Sequence, residues 1–237
     1  MKTKFQRLVS TLPVVAFFFF VHSCTIYEPQ PVSIPLMQEK NEIQLSGGVS
    51  MLGGVNGSVA FAPAQHVALQ VYASAFPENN NFQGSVGYYT KTKANLNFEI
   101  YTGFGRGKGT EITDDSSSTY SNADNLIYFV QSNIGQTNLG RAHIDYGFGL
   151  KTGFFEANVK EALFDNITPY TTNGLLIEPQ AFMRMGSEKL KVGFQLNGTK
   201  IFLDKDRKEF SDYYNRLNFC VSINYRFAPS LKKLKKE

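Results

Sequence analysis

The fold is decided by residues 214–227, which read YNRLNFCVSINYRF. Successive side chains of a β-strand point to opposite faces, so this run has one apolar face and one polar face. The apolar positions are Leu217, Phe219, Val221, Ile223, Tyr225 and Phe227, and the polar positions are Asn218, Cys220, Ser222, Asn224 and Arg226. The apolar face of such a strand has to be covered either by a second protein layer or by lipid.

The same two-faced pattern recurs in ten strand-like runs from residue 42 onward, among them residues 95–105 and 190–197. Because most runs carry it, no second layer is available to cover the apolar faces. An apolar exterior around a polar interior is the arrangement of a barrel in a lipid bilayer. The sequence therefore predicts an all-β fold, a single antiparallel up-and-down transmembrane β-barrel of about ten strands. A soluble lipocalin-like barrel, tethered by lipid, is the alternative and would place the apolar residues inside.

Composition limits the classes of function. The chain has 237 residues, enough for one large all-β domain, and charged residues make up 19% of it. Its formal net charge of +4 falls by three when residues 1–23, which contain three basic residues and no acidic one, are left out. The nearly neutral remainder argues against a nucleic-acid binder. Asp204 and Asp206 lack the ligand spacing of a calcium loop, and we predict no metal or other cofactor.

Residues 1–23 are predicted to be a lipoprotein signal peptide. A basic start precedes the apolar run 12–21, which is too short to span a bilayer. The run ends in VHSC at residues 21–24, which resembles the lipobox, the cleavage site of bacterial lipoproteins. That resemblance implies acylation of Cys24 and cleavage before it. An ordinary secretory signal followed by a chance cysteine is the alternative.

The rest of the chain divides into three parts. Residues 24–41 are predicted to be a lipidated tether, because three prolines within a short polar stretch disfavour both helix and central strand. Residues 42–227 are the predicted barrel, and residues 228–237 a basic periplasmic tail. Pro179 lies inside a strand-like run, where we expect a β-bulge.

The connections between the runs alternate in length, with a helical turn predicted within the second long one. Short periplasmic turns and longer outer loops are typical of outer-membrane barrels. An even number of strands returns the chain to the side on which the first strand began, so both chain termini are expected in the periplasm. The predicted extracellular loops are 107–124, 155–172 and 203–213.

Several short segments resemble a known family. Cys24 followed by Tyr27-x-Pro29, the stretch EIYTGFGRG at residues 99–107 and QSNIG at residues 131–135 are similar to segments of Bacteroidota-type lipidated small outer-membrane β-barrel proteins, of the OmpA/OmpX-like class. The closing Tyr225-Arg226-Phe227 resembles the aromatic end that the barrel-assembly machinery reads, although this chain continues for ten residues beyond Phe227. The resemblance implies outer-membrane lipid and that machinery as partners, and no defined biochemical activity.

The inward parity gathers a polar network inside the predicted barrel, with three carboxylates and four fixed cations that suit mutual pairing. The predicted network consists of Glu99, His143, Asp145, Lys151, Glu178, Arg184, Lys191 and Arg226. It could line a pore, or it could plug the narrow interior, which side chains largely fill in a barrel of this size. We favour the plug.

We therefore predict a structural or surface-interaction protein that acts through its outer loops, with a small passive pore for ions or small solutes as the alternative. A membrane-embedded lipid-modifying enzyme is a remote alternative, because such barrels use a histidine, serine and acid group on the lipid-facing surface. Only His66 and His143 follow the predicted signal, and neither is expected beside a serine and a carboxylate.

Overall fold

The computed structural model describes residues 27, 29–30, 33–92, 96–113, 119–163, 166–203 and 217–229. Their regular secondary structure is entirely β, and none of them lies in a helix long and apolar enough to cross a membrane. The strands are β1 (Ile43–Ser50), β2 (Val55–Ala64), β3 (Val67–Ala75), β4 (Asn79–Lys91), β5 (Leu96–Thr113), β6 (Thr119–Leu139), β7 (Ile144–Leu163), β8 (Asn166–Gly186), β9 (Leu190–Gly198), β10 (Lys200–Leu203) and β11 (Leu217–Phe227).

The described strands close into a barrel. Each pairs antiparallel with its neighbour in sequence from β1 to β9, and β11 pairs with both β9 and β1. Only Thr199 separates β9 from β10, and both pair with β8, so they form two parts of one strand. Across the described ranges the protein is thus a closed antiparallel barrel of ten strands, and this prediction is confirmed.

The two faces of β11 have opposite environments. Leu217 and Ile223 are 65% and 60% exposed, whereas Asn218 and Cys220 are 1% and 0% exposed. Outward apolar side chains of the other strands continue this surface around the barrel, among them Val49, Leu69, Val86, Ile100, Val130, Phe148, Leu175 and Leu196. A continuous apolar exterior of this extent is the surface that a bilayer covers, and the lipocalin-like alternative is wrong because the apolar residues face outward.

Leu196 and Leu190 allow this belt to be tested on one strand. Both face outward from β9 with 51% of their surface exposed, but Leu190 is the first residue of the strand and Leu196 lies six residues further along. We expect Leu196→Arg to destabilise the folded barrel by about 2–4 kcal/mol, because it places a cation near mid-membrane. Leu190→Arg should cost about 0–1 kcal/mol, as expected near an interface. Urea unfolding in lipid vesicles measures both, and equal costs would contradict a bilayer at this depth.

Two of the predicted long loops are largely strand. β5 and β6 continue through most of 107–124, and β7 and β8 through most of 155–172, with unbroken pairing such as Gly109↔Ala123 and Val159↔Tyr170. The predicted helical turn is therefore also wrong. These parts of β5 to β8 were predicted as loops because outward side chains beyond the lipid no longer need to be apolar. The hydrogen-bonded pairing of the strands nevertheless continues there. Beyond Leu203, the third predicted loop lies outside the described residues.

Pro179 does not form the predicted bulge. It pairs with Leu150 of β7 in unbroken register. On the other side of β8, pairing resumes at Ile177↔Lys200 and Gln180↔Asn197, so the ladder is interrupted where Pro179 faces the break between β9 and β10. Proline has no N–H to donate. Here the missing hydrogen bond coincides with the break between β9 and β10, and no extra residue is inserted, so no bulge forms.

The described part of residues 24–41 is not a free tether, which corrects the prediction. Tyr27, Ile34, Leu36 and Met37 are each no more than 1% exposed, because this segment lies inside the barrel. Prolines exclude the segment from the sheet without excluding it from the lumen, where an extended chain can be held by side chains of the wall.

Candidate functional site: the filled barrel lumen

Tyr27 is the first described residue of the N-terminal segment, and it lies in an apolar cluster within the barrel. Its ring packs edge-on against Phe155, with 5.2 Å between ring centroids, and its hydroxyl donates to Glu178 Oε1 at 2.9 Å. The cluster also contains Ala123, Ile127, Phe129, Ala157, Val159, Leu176 and Ile201. These residues belong to β6, β7, β8 and β10, so Tyr27 is held by the long-strand side of the wall.

The middle of the segment is hydrogen-bonded to several sides of the barrel at once. The Pro29 carbonyl accepts from Asn218 Nδ2 at 3.0 Å. The Ser33 carbonyl accepts from Gln70 Nε2 at 2.8 Å and from Gln131 Nε2 at 3.0 Å. Gln70 is on β3 and Gln131 on β6, so a single backbone oxygen bridges two separate parts of the wall.

Gln30 and Ser33 also use their side chains. Gln30 Oε1 accepts hydrogen bonds from Tyr72 at 3.2 Å and from Ser74 at 2.5 Å. Ser33 Oγ accepts from Ser58 Oγ on β2 at 2.8 Å. The polar residues of the supposed tether thus satisfy polar groups of the wall that would otherwise need water.

The segment reaches the other end of the lumen before β1 begins. Arg184 Nη2 donates to the Ile34 carbonyl at 2.5 Å, and the Met37 amide donates to Glu99 Oε1 at 2.7 Å. Met37 packs with Ala60, Ala62, Ala68, Tyr89 and Tyr101. The amides of Gln38 and Glu39 then donate to Glu42, directly before β1.

Charged lumen residues form ion pairs between neighbouring parts of the inner wall. Lys151 Nζ lies 2.9 Å from Glu178 Oε2, with both side chains 1% exposed. Lys191 and Asp145 form a second ion pair. Arg226 binds Glu42 through two bonds, Nε to Oε1 at 2.7 Å and Nη2 to Oε2 at 3.1 Å. Buried charges are tolerated when each has such a partner, and these pairs fasten strands to one another.

Glu99 and Arg184 are held differently, because their partners include the N-terminal segment. Glu99 accepts from Asn133 Nδ2 at 2.9 Å as well as from the Met37 amide. The Arg184 guanidinium lies over the Phe182 ring, 4.6 Å from its centroid, and donates to Ile34. Both side chains are therefore positioned by a segment that the sequence placed outside the barrel.

His143 is not a lumen residue, which corrects its place in the predicted network. It lies in the turn that joins β6 to β7, with a φ of 44°, and β7 begins only at Ile144. The alternation of polar and apolar residues extends by chance into this turn. His66 likewise lies in the turn between β2 and β3, where its ring stacks on Tyr88 at 5.4 Å and Nδ1 lies 2.9 Å from the Tyr89 carbonyl.

Sequence reasoning missed Glu42, Gln30 and Ser33. Glu42 precedes β1 directly and continues the inward parity of Gln44, so this signal was available in the sequence. No period marks Gln30 and Ser33, which are in an irregular segment. Within the part of the chain that the structure describes, no cluster of three histidine, cysteine or acidic side chains is arranged to hold a metal ion.

Little space remains in the described lumen near the end where Arg226 lies. A cavity of about 20 Å³ is lined there by Asp145, Arg184, Lys191 and Arg226, among others. A second, of about 10 Å³, lies beside Ser33 and Ser58. One water molecule needs roughly 10–15 Å³ by the same kind of measure, so these spaces suit single waters and not a hydrated solute.

Comparison with known proteins identifies the fold. No protein-family model matches this chain, and no curated protein sequence does. Among solved structures, the chain is similar to the outer-membrane protease OmpT of Escherichia coli, with 6% identity over 78% of this chain and 93% of that one and a TM-score of 0.51. The translocator domain of the autotransporter NalP from Neisseria meningitidis gives 12% identity, 78% and 86% coverage and a TM-score of 0.45.

The attachment invasion locus protein Ail of Yersinia pestis also matches, at 11% identity, over 80% of this chain and all of that one, with a TM-score of 0.38. At such identities only the fold is carried over, and the OmpT comparison is the one that carries it. The chain has the fold of outer-membrane β-barrel proteins.

Proposed function

We propose that this protein is an outer-membrane β-barrel with a closed lumen, whose role is structural or surface-interacting and is carried by the strands that extend beyond the bilayer. The observation that carries the proposal is the filling of the lumen by the described residues between Tyr27 and Glu42. These residues occupy the space that a solute would need, and they are bonded to the wall from Tyr27 to Glu42.

The hairpins β5–β6 and β7–β8 supply the outer surface. Their strands are 18 to 21 residues long, whereas roughly 9–11 residues cross a bilayer. Towards the tips, exposed polar groups replace the apolar belt, such as Arg106 and Lys108, each 3.8 Å from Asp124. Binding residues are often carried by outer segments on a rigid scaffold, so these hairpins are the surface on which we place a partner.

Anchoring by lipid is a separate part of the proposal. It is motivated by the lipobox-like residues 21–24 and by the resemblance to lipidated barrels of Bacteroidota. Several acyl chains give firm anchoring, since each buried CH₂ contributes about 0.8 kcal/mol. The barrel would be assembled through its closing strand ending at Phe227, with signal peptide 1–23 removed.

Cys24→Ser tests this anchoring. The variant should incorporate no clickable palmitate, because the acylated sulfur is gone, yet it should stay in the membrane after carbonate extraction. The apolar belt holds the barrel in lipid independently of the anchor. If carbonate released the variant into the soluble fraction, the acyl chains and not the barrel would be the means of attachment.

The passive pore is the rival function, and conductance of the refolded protein in a planar bilayer distinguishes the two. We expect no reproducible conductance steps from the intact chain, together with protease cleavage of the β5–β6 and β7–β8 hairpin tips on intact cells. Reproducible steps that change with Arg184→Ala or Glu99→Ala would favour the pore and contradict the closed scaffold.

We also propose that the protein is not an enzyme, although OmpT, a protease, has a similar fold.

A further inference from the structure

We infer that the chain enters the barrel through the mouth opposite to Phe227, so that the acyl chains proposed for Cys24 lie in the outer leaflet of the membrane, at the cell surface. The sequence alone had placed Cys24 in the periplasmic leaflet, because the tether was expected to lead directly to β1. The inference about the leaflet depends on the proposed lipidation, whereas the inference about the route depends only on the lumen contacts.

The direction of the segment follows from its contacts along β3. This strand runs away from the Phe227 end, because Phe61 of β2 pairs with both Ile43 and Leu69, and Ile43 pairs with Phe227. Gln30 bonds Ser74 and Tyr72, near the far end of β3. Ser33 bonds Gln70 at the middle of the strand, and Met37 packs on Ala68 near its start. The segment therefore descends once along the lumen, antiparallel to β3.

Both ends of this descent are fixed. Glu42 is bonded to Arg226, one residue from the end of β11. Tyr27 is bonded to Glu178 and lies in one apolar cluster with Ile201. Ile201 is on β10, which continues β9 and lies further from the Phe227 end than β9 does. A chain covers at most about 3.3–3.6 Å per residue, so the fifteen steps from Tyr27 to Glu42 can traverse a hydrocarbon core of about 30 Å without folding back.

Chain connectivity limits how far Cys24 can lie from Tyr27. Consecutive Cα atoms are 3.8 Å apart, and three such steps separate Cys24 from Tyr27. The Cα atom of Cys24 therefore lies at most about 11 Å from that of Tyr27. The lumen below Tyr27 is already occupied by residues 29–30 and 33–42. The chain before Tyr27 can therefore not return to the Phe227 end by the same route.

The far mouth also has a low side over which acyl chains could reach lipid. β1, β2 and β3 have only 8 to 10 residues, while β5 to β8 have 18 to 21. At the low rim, outward Val49, Val55 and Leu217 are 58%, 57% and 65% exposed, so the apolar belt reaches the edge of the mouth there. Pro29 is bonded to Asn218 on this side.

The lengths of the connections indicate the orientation in the membrane. At the Phe227 end, β2 and β3, β6 and β7, and β8 and β9 are joined by turns of two to four residues. At the other end the long hairpins extend past the belt. Short turns face the periplasm and extended segments face outward in outer-membrane barrels, so the mouth at Tyr27 is the outer one.

Labelling of single cysteines on intact cells tests the inference. In a Cys220→Ser background, we expect Ile26→Cys to react with a membrane-impermeant maleimide on intact cells as fully as after permeabilisation. The matched control is Lys40→Cys, which replaces an exposed residue at the opposite end of the same segment and should react only after permeabilisation. The background protein without either substitution corrects for any thiol remaining at Cys24.

Labelling of Lys40→Cys but not of Ile26→Cys on intact cells would overturn the inference, and so would protection of both. An epitope inserted after Thr25 gives a second reading, with binding of antibody to intact cells expected. Palmitate incorporation separates the two proposals. A labelled Ile26→Cys without palmitate would reject lipidation and retain the route, whereas palmitate with a protected Ile26→Cys would reject the outer leaflet and retain lipidation.

Discussion

Replacement of residues 27–38 by a Gly-Ser segment of equal length is expected to turn a non-conducting barrel into a conducting one. The replacement keeps the ten strands and the chain length, and it removes the groups that fill the lumen. The replaced segment lacks the Tyr27 hydroxyl that binds Glu178 and the Gln30 side chain that binds Ser74. It also lacks the buried side chains of Ile34, Leu36 and Met37, so it no longer fills the lumen and water can enter. A hydrated lumen is the property that distinguishes channel-forming barrels from plugged ones.

Planar-bilayer recordings measure the effect, with the intact protein as the reference. The folded state of the replaced protein is checked independently by its heat-modifiable migration on gels and by its β-sheet circular dichroism. Conductance steps from the intact protein would contradict a closed lumen. A folded replaced protein that stays silent would show that wall side chains alone close the barrel and that the segment is dispensable for closure.

Lys151→Met is expected to destabilise the folded protein by about 3–5 kcal/mol, because it leaves the Glu178 carboxylate buried without its cation. Glu178 also accepts from Tyr27 and Thr199, so the same carboxylate joins β7, β8, the break after β9 and the N-terminal segment. The double variant Lys151→Met with Glu178→Gln should recover most of the loss, since it removes both charges of the pair.

Lys160→Met is the matched control for Lys151→Met. Lys160 is on the same strand but exposed, and its substitution should change the free energy of unfolding by no more than about 0.5 kcal/mol. Urea unfolding in lipid vesicles compares the variants. Equal costs at Lys151 and Lys160 would show that the buried pair does not hold the wall and the plug together.

The barrel itself was predictable because, in the membrane-spanning part, outward side chains face lipid and inward side chains face a polar lumen. The sequence there alternates between apolar and polar residues with the period of a strand. Leu217 and Ile223 face lipid and Asn218 and Cys220 face inward, as the alternation in 214–227 predicts. The upper halves of β5 to β8 were missed because outward residues there, such as Lys108, meet water. An apolar belt is then no longer required, so the pattern by which strands were recognised disappears while backbone pairing continues.

The lumen segment could not be predicted from periodicity. Its partners are far away in sequence: Glu42 binds Arg226 across 184 residues and Tyr27 binds Glu178 across 151. Two signals were nevertheless present. Ile34, Leu36 and Met37 are too apolar for a solvated tether. The predicted network also had four cations but only three carboxylates, and Glu42, which pairs with Arg226, is the fourth carboxylate.

The central claim, that the chain's own N-terminal segment lies in the lumen, is tested most directly by a disulfide between Ser33→Cys and Ser58→Cys in a Cys220→Ser background. The two hydroxyl oxygens are 2.8 Å apart, which brings the side chains within reach of a disulfide. The control pairs Ser33→Cys with Val59→Cys, because Val59 is the next residue of β2 and faces outward, 47% exposed. After oxidation in the membrane, mass spectrometry should find the 33–58 peptide linked and the 33–59 pair unlinked. Free, maleimide-reactive thiols at both 33 and 58 in the folded barrel would contradict the account.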